Sequence, residues 1–111
     1  MKLVKVGEGT PYEAHHHFNY WAINKVVPGT ISQKIQIGVS HFLPHGGAET
    51  SSSPMERVYF CIDGKITVKG RDEQYQLEPG DMIYIAAGEE RSFKVSNTKP
   101  ATILVIMTRV I

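Results

Sequence analysis

The stretch LEPGDMIYIAAGEERSFKV, residues 77–95, carries the pattern that decides the fold. Pro79, Gly80 and Asp81 form a turn signal that leads into a short apolar run at residues 82–85. Gly88 marks a second turn, and another β-rich run follows at residues 92–95. Two short strands set between turns predict an all-β domain.

The rest of the chain repeats this pattern of short β-rich runs between clusters of Gly, Pro, Asp and Ser. No long stretch has the spacing of apolar residues that a helix requires. We predict strands at residues 2–6, 18–26, 34–43, 56–63, 65–69, 73–77, 82–85, 92–95 and 101–110. Many short strands with regular turns are typical of a sandwich or a barrel.

Turn chemistry places the reversals between these strands. Asp63-Gly64 joins two β-rich runs and is the strongest hairpin signal in the sequence. Gly70-Arg71-Asp72 predicts the next reversal, and residues 44–47, Pro-His-Gly-Gly, predict the end of a strand.

Two segments of the chain resemble the cupin family, whose members are small double-stranded β-helix (jelly-roll) barrels. HFLPHGGAETSSSPMERVYFCIDGKITV, residues 41–68, resembles the first cupin motif, and residues 77–95 resemble the second. The resemblance runs from Gly38 to Met107. It implies a single cupin domain over residues 1–111, with a barrel core at about 34–110. Strands from residues 1–33 would complete the barrel or swap onto it.

The resemblance also assigns the positions at which cupins hold a metal ion with histidines and a glutamate. In this sequence those positions hold Ser51, Ser53, Arg57 and Arg91, or Thr50 and Ser52 in place of the two serines. Serine is a poor ligand and arginine is a permanent cation, so we expect no metal cofactor. A one-residue slip or a bulge would bring Glu56 into the place of Arg57, and a single carboxylate would still not make the site.

Strand alternation predicts which side chains line the barrel. If Arg57 faces inward, Tyr59 and Cys61 also face inward, because alternate residues of a strand point to the same side. By the same rule, Arg91 and Phe93 both face inward on their strand. His41 shares a strand face with apolar neighbours, and we expect it to be buried or in the cavity. The predicted substrate-binding residues are therefore Arg57, Tyr59, Arg91, His41 and Phe93. His41 and Tyr59 are the candidate acid–base residues.

Two guanidiniums in one apolar-walled pocket suit a carboxylate, an enolate or a phosphate, because arginine binds such groups with paired hydrogen bonds. The partner we expect is therefore an anionic small molecule. The alternative is that the arginines form salt bridges at the mouth of the barrel. The candidate partners for those salt bridges are Glu49, Glu56, Glu89 and Glu90.

A further alternative is a substitute site for a divalent transition metal, built from the histidines that the cupin pattern does not use. Neutral imidazole suits such metals, and the candidates are His15, His17, His41 and His45. Consecutive histidines are also typical of solvated positions. Cys61 is expected to be a small buried residue rather than a nucleophile.

Composition limits the classes of partner. Twelve basic and eleven acidic residues give a net charge of +1, which favours neither nucleic acid nor an anionic membrane. One cysteine excludes an internal disulfide and favours the cytoplasm, and no apolar run is long enough to span a membrane. We expect a homodimer, because the strands at 2–6 and 18–26 provide edges that need covering.

Three functions remain open on the sequence. The first is a metal-free cupin that binds an anionic or polar small molecule, with isomerase or lyase chemistry of the acid–base type. The second is a non-catalytic module that binds a metabolite, and the third is a metalloenzyme that uses the non-consensus histidines.

Overall fold

The structure is a computed structural model that describes residues 1–108. Within these residues the chain forms nine strands and no helix. The strands are β1 (Thr10–Tyr12), β2 (His17–Val26), β3 (Ile35–Ser51), β4 (Glu56–Asp63), β5 (Ile66–Lys69), β6 (Gln74–Leu77), β7 (Met82–Ile85), β8 (Arg91–Val95) and β9 (Ala101–Thr108). The predicted strands at 56–63 and 82–85 are confirmed to the residue. Arg109 and Val110, which the sequence assigned to the last strand, lie outside the described residues.

The strands pair in the order β6-β5-β8-β3-β9-β4-β7, and β2 adds to β3 and carries β1. The ladders between these strands are antiparallel. Strand β3 holds the two halves together, because its first part pairs with β9 and its last part pairs with β8. The sheet curls into a nearly closed barrel, which confirms the all-β jelly-roll prediction.

The predicted strand end at residues 44–47 is wrong, because β3 continues through it with a bulge. His45 has a φ of 68° and donates its N–H to the Ser96 carbonyl at 3.0 Å. A Cβ at Gly46 or Gly47 would lie closer than 3.0 Å to backbone atoms of neighbouring strands. The two glycines therefore permit a close backbone approach where β3 turns from one half of the barrel to the other.

Two other local predictions are also wrong. Residues 2–6 form no strand; Lys25 Nζ instead donates to the carbonyls of Val6, at 2.8 Å, and of Glu8. Asp63-Gly64 does not form a hairpin, because β4 pairs with β7 and β9 whereas β5 pairs with β6 and β8. The reversal at 70–72 is confirmed, and the Gly70 N–H binds the Glu73 carbonyl at 2.8 Å.

The core lies inside the barrel and consists of side chains from the inner face of the strands. In β9 the buried residues alternate with half-buried ones, as expected for a strand with one face inside. The buried apolar cluster consists of Phe42, Ala48, Tyr59, Cys61, Ile66, Val68, Leu77, Ile85, Phe93, Val95, Ala101, Ile103 and Val105. Burial of this apolar surface is the main favourable term in folding.

Candidate functional site

A cavity of about 450 Å³ opens beside the core, between the loop at residues 13–17 and the loop at 51–55. This volume is in the range of ordinary small-molecule sites. Apolar walls come from Phe93, Ile103, Val105 and Met107. Polar groups come from Tyr12, Glu13, His15, His16, His17, Ser40, Ser51, Ser52, Ser53, Arg57, Tyr59 and Arg91.

Strand β4 points Arg57 and Tyr59 into the cavity. Each is 3 % exposed, whereas Glu56 is exposed on the opposite face. Arg57 pairs across the ladders with Ile85 of β7 and Met107 of β9, and no bulge intervenes at this position. The alternative in which a slip brings Glu56 inside is therefore wrong.

The Tyr59 hydroxyl joins the two arginines. Arg57 Nη1 donates to the Tyr59 oxygen at 3.2 Å, and Arg91 Nε donates to it at 3.3 Å. A hydroxyl oxygen that accepts twice still carries its own hydrogen. Tyr59 is therefore left with one donor that is available to a group in the cavity.

Strand β8 supplies Arg91 and Phe93, both buried. Arg91 Nη1 donates to Ser51 Oγ, which lies opposite Arg91 in the β3–β8 ladder. The Arg91 guanidinium carbon lies 4.8 Å from the centre of the Phe93 ring, and Tyr59 packs edge-on against the same ring at 4.7 Å. These contacts hold Arg91 in one orientation toward the cavity.

Neither buried arginine has a carboxylate partner among the described residues. The ion pairs found between residues 1 and 108 join Lys65 to Glu78 and Arg71 to Glu90. Arg57 Nη2 reaches only the Glu89 carbonyl, at 3.4 Å, and its Nε is buried without a hydrogen-bond partner. The salt-bridge alternative is therefore wrong for both arginines.

The acidic side chains near Arg57 are engaged elsewhere. Glu56 accepts from the Tyr84 hydroxyl at 2.6 Å, on the outer face of β4. Glu89 accepts from the Ala86 N–H at 3.0 Å and so closes the turn before β8. No carboxylate among residues 1–108 forms an ion pair with either guanidinium. Burial, and to a smaller extent the charge of Arg91, lowers the pKa of Arg57 from its ordinary value, although Tyr59 and the charge of Glu89 act in the opposite direction and raise it.

The four candidate histidines do not come together. His45 is exposed at the bulge of β3, and His15 lies in a turn before β2 rather than on a strand face with His17. Within the described part of the chain, no group of three or more His, Cys, Asp or Glu side chains has the arrangement of a metal site. The predicted set His15, His17, His41 and His45 is therefore not a cluster.

His41 lies outside the cavity. It shares a strand face with apolar neighbours, as expected, but the inner face of β3 is the one that carries Ser40 and Phe42. His41 stacks on Trp21 of β2 at 4.1 Å, and its Nδ1 lies 3.1 Å from the Thr102 hydroxyl. Burial lowers the pKa of His41, but the residue has no access to a ligand in the barrel.

His17 lines the cavity, whereas His41, the histidine predicted to do so, does not. From the sequence, His17 was predicted only as a candidate metal ligand, because no local pattern shows that residues 13–17 line the cavity. Cys61 is fully buried, and burial and the nearby Asp63 raise its pKa, so it is no nucleophile.

Comparison with known proteins decides the family. The family model for the cupin domain matches residues 38–107, which is more than half of the chain. The chain belongs to the cupin family. A curated protein of Mycobacterium tuberculosis, β-D-galactosidase Rv1717, is 28 % identical over 107 residues, which are 95 % of this cupin and 91 % of that protein.

Solved structures share the fold at low sequence identity. The polyketide cyclase RemF from Streptomyces resistomycificus superposes with a TM-score of 0.85 at 15 % identity, over 97 % of this chain and 79 % of that one. KdgF from Halomonas sp. superposes with a TM-score of 0.81 at 8 % identity, over 99 % and 96 % of the two chains.

The residues of this cupin do not suit the metal that the family commonly carries. At the positions that the sequence resemblance assigns to the ligands, Arg57 and Arg91 are buried guanidiniums, Ser51 accepts from Arg91, and Ser53 accepts from the Met55 N–H. Two fixed positive charges repel a divalent cation, and neither supplies a lone pair. The donor set fits an anion instead.

None of the described residues belongs to a helix that is long and apolar enough to cross a membrane.

Proposed function

We propose that this cupin binds a small organic anion, a carboxylate or a phosphate ester, inside the barrel and without a metal ion. The observation that carries the proposal is the pair of buried arginines, Arg57 and Arg91, that have no acidic partner in residues 1–108. A buried cation is costly unless it is paired. A bound anion would supply the missing charge.

The donors around the cavity support a bidentate anion. The guanidiniums of Arg57 and Arg91 keep several N–H groups free after their contacts with Tyr59, Ser51 and Glu89. The Tyr59 hydrogen adds a neutral donor. Such donors stabilise the negative oxygen of an enolate, which favours isomerase or lyase chemistry over oxidation.

Glycoside hydrolysis, the activity named for the relative from Mycobacterium tuberculosis, fits this cavity less well. That chemistry ordinarily uses two carboxyl groups on either side of the bond that breaks. Among the described residues that line the cavity, Glu13 is the one carboxylate. A neutral galactoside would also leave the two arginines unpaired.

A screen of thermal unfolding tests the proposal. Phosphate, pyruvate and longer carboxylates are each added at the same ionic strength, with chloride as the control for screening by salt. We expect at least one of these organic anions or phosphate to raise the unfolding midpoint in a saturable manner. If the midpoint follows ionic strength alone, the arginine pair is not an anion site.

A non-catalytic metabolite-binding module is the second candidate, and it rests on the same cavity. One measurement separates the two candidates: an enzyme converts the anion that it binds, and a binding module does not. A ligand recovered unchanged after long incubation with the protein would favour the module.

We further propose that no transition metal takes part. Metal analysis of untagged protein is expected to give far less than one ion per chain, because the cavity offers two cations where ligands would be needed. A stoichiometric ion that disappears when His17 is replaced by alanine would contradict this and favour a metalloenzyme.

We also propose that the chain forms a homodimer through the outer face of β2, β3, β9, β4 and β7. This face carries exposed apolar side chains, which include Trp21, Ile35, Leu43, Ile62, Met82 and Tyr84. A two-fold contact sets a patch against itself, and a mostly uncharged patch meets no like-charge repulsion there.

Gel filtration with light scattering is expected to give twice the chain mass of 12.4 kDa. Leu43→Lys, at a position 54 % exposed on this face, should give monomers. Tyr75→Lys, at a position 52 % exposed on β6, is the matched control and should stay dimeric. A monomeric wild-type protein would contradict the proposal.

A further inference from the structure

The first residue of β2, His17, brings one imidazole into the wall of the cavity. His17 is half-buried, and its ring packs between Tyr20, 5.2 Å away, and the rings of Phe42 and Phe93, 6.1 and 6.0 Å away. The same Phe93 ring carries the Arg91 guanidinium. His17 and Arg91 therefore contact the same aromatic ring, that of Phe93, in the wall of the cavity.

The backbone fixes the tautomer of this imidazole. His17 Nδ1 lies 2.8 Å from the His15 carbonyl oxygen. A carbonyl oxygen only accepts, so Nδ1 carries the hydrogen and donates it. In the neutral ring the lone pair is then on Nε2. This atom has no hydrogen-bond partner within the described chain, and it is not one of the unpaired polar atoms that are buried.

We propose that His17 is the general base of the cavity and that the substrate is a small organic acid with an acidic C–H beside a carbonyl, such as a 2-oxo acid. This inference rests on the proposed function, because the arginines must first hold the anion. Nε2 takes the proton, and the C–H electron pair moves into the carbonyl to give an enolate. The enolate oxygen is stabilised by the guanidiniums of Arg57 and Arg91 and by the Tyr59 hydrogen.

The position to which the proton on Nε2 returns then decides which reaction takes place. Return of the proton from Nε2 to the same carbon restores the substrate. Return to another carbon or to the other face completes an isomerisation. In a lyase the electron pair instead expels a leaving group from the neighbouring carbon. Each route begins with removal of the substrate proton by Nε2. When that proton exchanges with solvent before reprotonation, the substrate carbon acquires a hydrogen from solvent.

The surroundings of His17 lower the pKa of its ring and so favour the neutral form, which is the form that can accept a proton. Burial lowers the pKa of His17 most, and Arg91 of β8, His16 of its own loop and Arg57 of β4 lower it further, whereas the bond to the His15 carbonyl raises it. Tyr20 of β2 packs against the ring, and the other titratable groups that line the same cavity are Tyr12, Glu13, His15 and Tyr59. A bound anion would offset the two arginines and raise the pKa of His17.

Pyruvate in D2O tests the base directly. Wild-type protein is expected to speed deuteration of the pyruvate methyl group, followed by proton NMR, and His17→Gln should slow this at least about 100-fold. His45→Asn is the matched control, because His45 is exposed at the β3 bulge and asparagine tolerates its positive φ. Thermal unfolding of each variant with phosphate shows whether it folds and still binds anions.

A second measurement needs no variant of His17. The pKa of the His17 ring, followed by NMR in wild-type protein, should rise when phosphate is added. An unchanged pKa despite phosphate binding would overturn the assignment of His17. Equal exchange in wild type and His17→Gln, or no exchange above the uncatalysed rate, would do the same and leave anion binding intact. Absence of binding by any anion would instead remove the proposed function.

Discussion

Replacing Arg57 by methionine is expected to abolish stabilisation of the protein by anions and, at the same time, to raise the unfolding midpoint of the ligand-free protein. Arg57 is 3 % exposed, and its Nε is unpaired. Methionine replaces the apolar stem of arginine and carries no charge, so the cost of desolvating the cation disappears. Replacing a buried ion pair by apolar residues of similar volume is neutral or stabilises a protein by roughly 1–4 kcal/mol, and Arg57 has no ion pair to lose among residues 1–108. Each kcal/mol raises the midpoint of a small domain by roughly 4–8 °C.

The loss of binding is the second half of this prediction. A ligand at 100 times its Kd stabilises the wild-type protein by about 2.7 kcal/mol, and we expect none of this in Arg57→Met or Arg91→Met. Arg71→Met is the matched control, because Arg71 is a surface residue paired with Glu90, and a change of less than about 0.5 kcal/mol is expected. A less stable Arg57→Met that still responds to phosphate would show that the arginine is structural.

The inward orientation of Arg57, Tyr59 and Cys61 could be predicted from the sequence because it depends only on alternation along one strand. The same rule placed Arg91 and Phe93 correctly. Pairing between strands could not be predicted in this way. Asp63-Gly64 has the chemistry of a hairpin turn, but β4 and β5 find their partners in different parts of the chain.

The errors at the site have the same origin. His41 was given the correct strand face, but only the pairing of β3 with β2 and β9 decides which face is inside. His17 lines the cavity because the chain at residues 13–17 runs along its wall, and no local pattern encodes that path. The sequence could therefore supply the charged part of the site and not its imidazole.

Replacing Gly64 by alanine is expected to destabilise the fold more than any change in the cavity. Gly64 has a φ of 77°, and a Cβ there would lie closer than 3.0 Å to the Pro100 carbonyl oxygen and to the Ala101 Cα. The left-handed backbone costs about 1–2 kcal/mol for an ordinary residue. The clash adds to this, because both obstacles are backbone atoms at the start of β9, in the middle of the sheet. We expect a loss of more than about 3 kcal/mol in total.

Gly88 separates the two contributions to this loss. Its φ is 79°, almost the same as at Gly64, but a Cβ there meets no atom within 4 Å. Gly88→Ala should therefore cost only the backbone strain, about 1–2 kcal/mol, in urea unfolding of both variants. Equal losses would mean that the chain relaxes around Pro100 and that Gly64 is needed for its conformation alone. A larger loss at Gly64 would show that the crossing from β4 to β5 is set by the close approach of two backbones, a constraint that turn chemistry alone does not reveal.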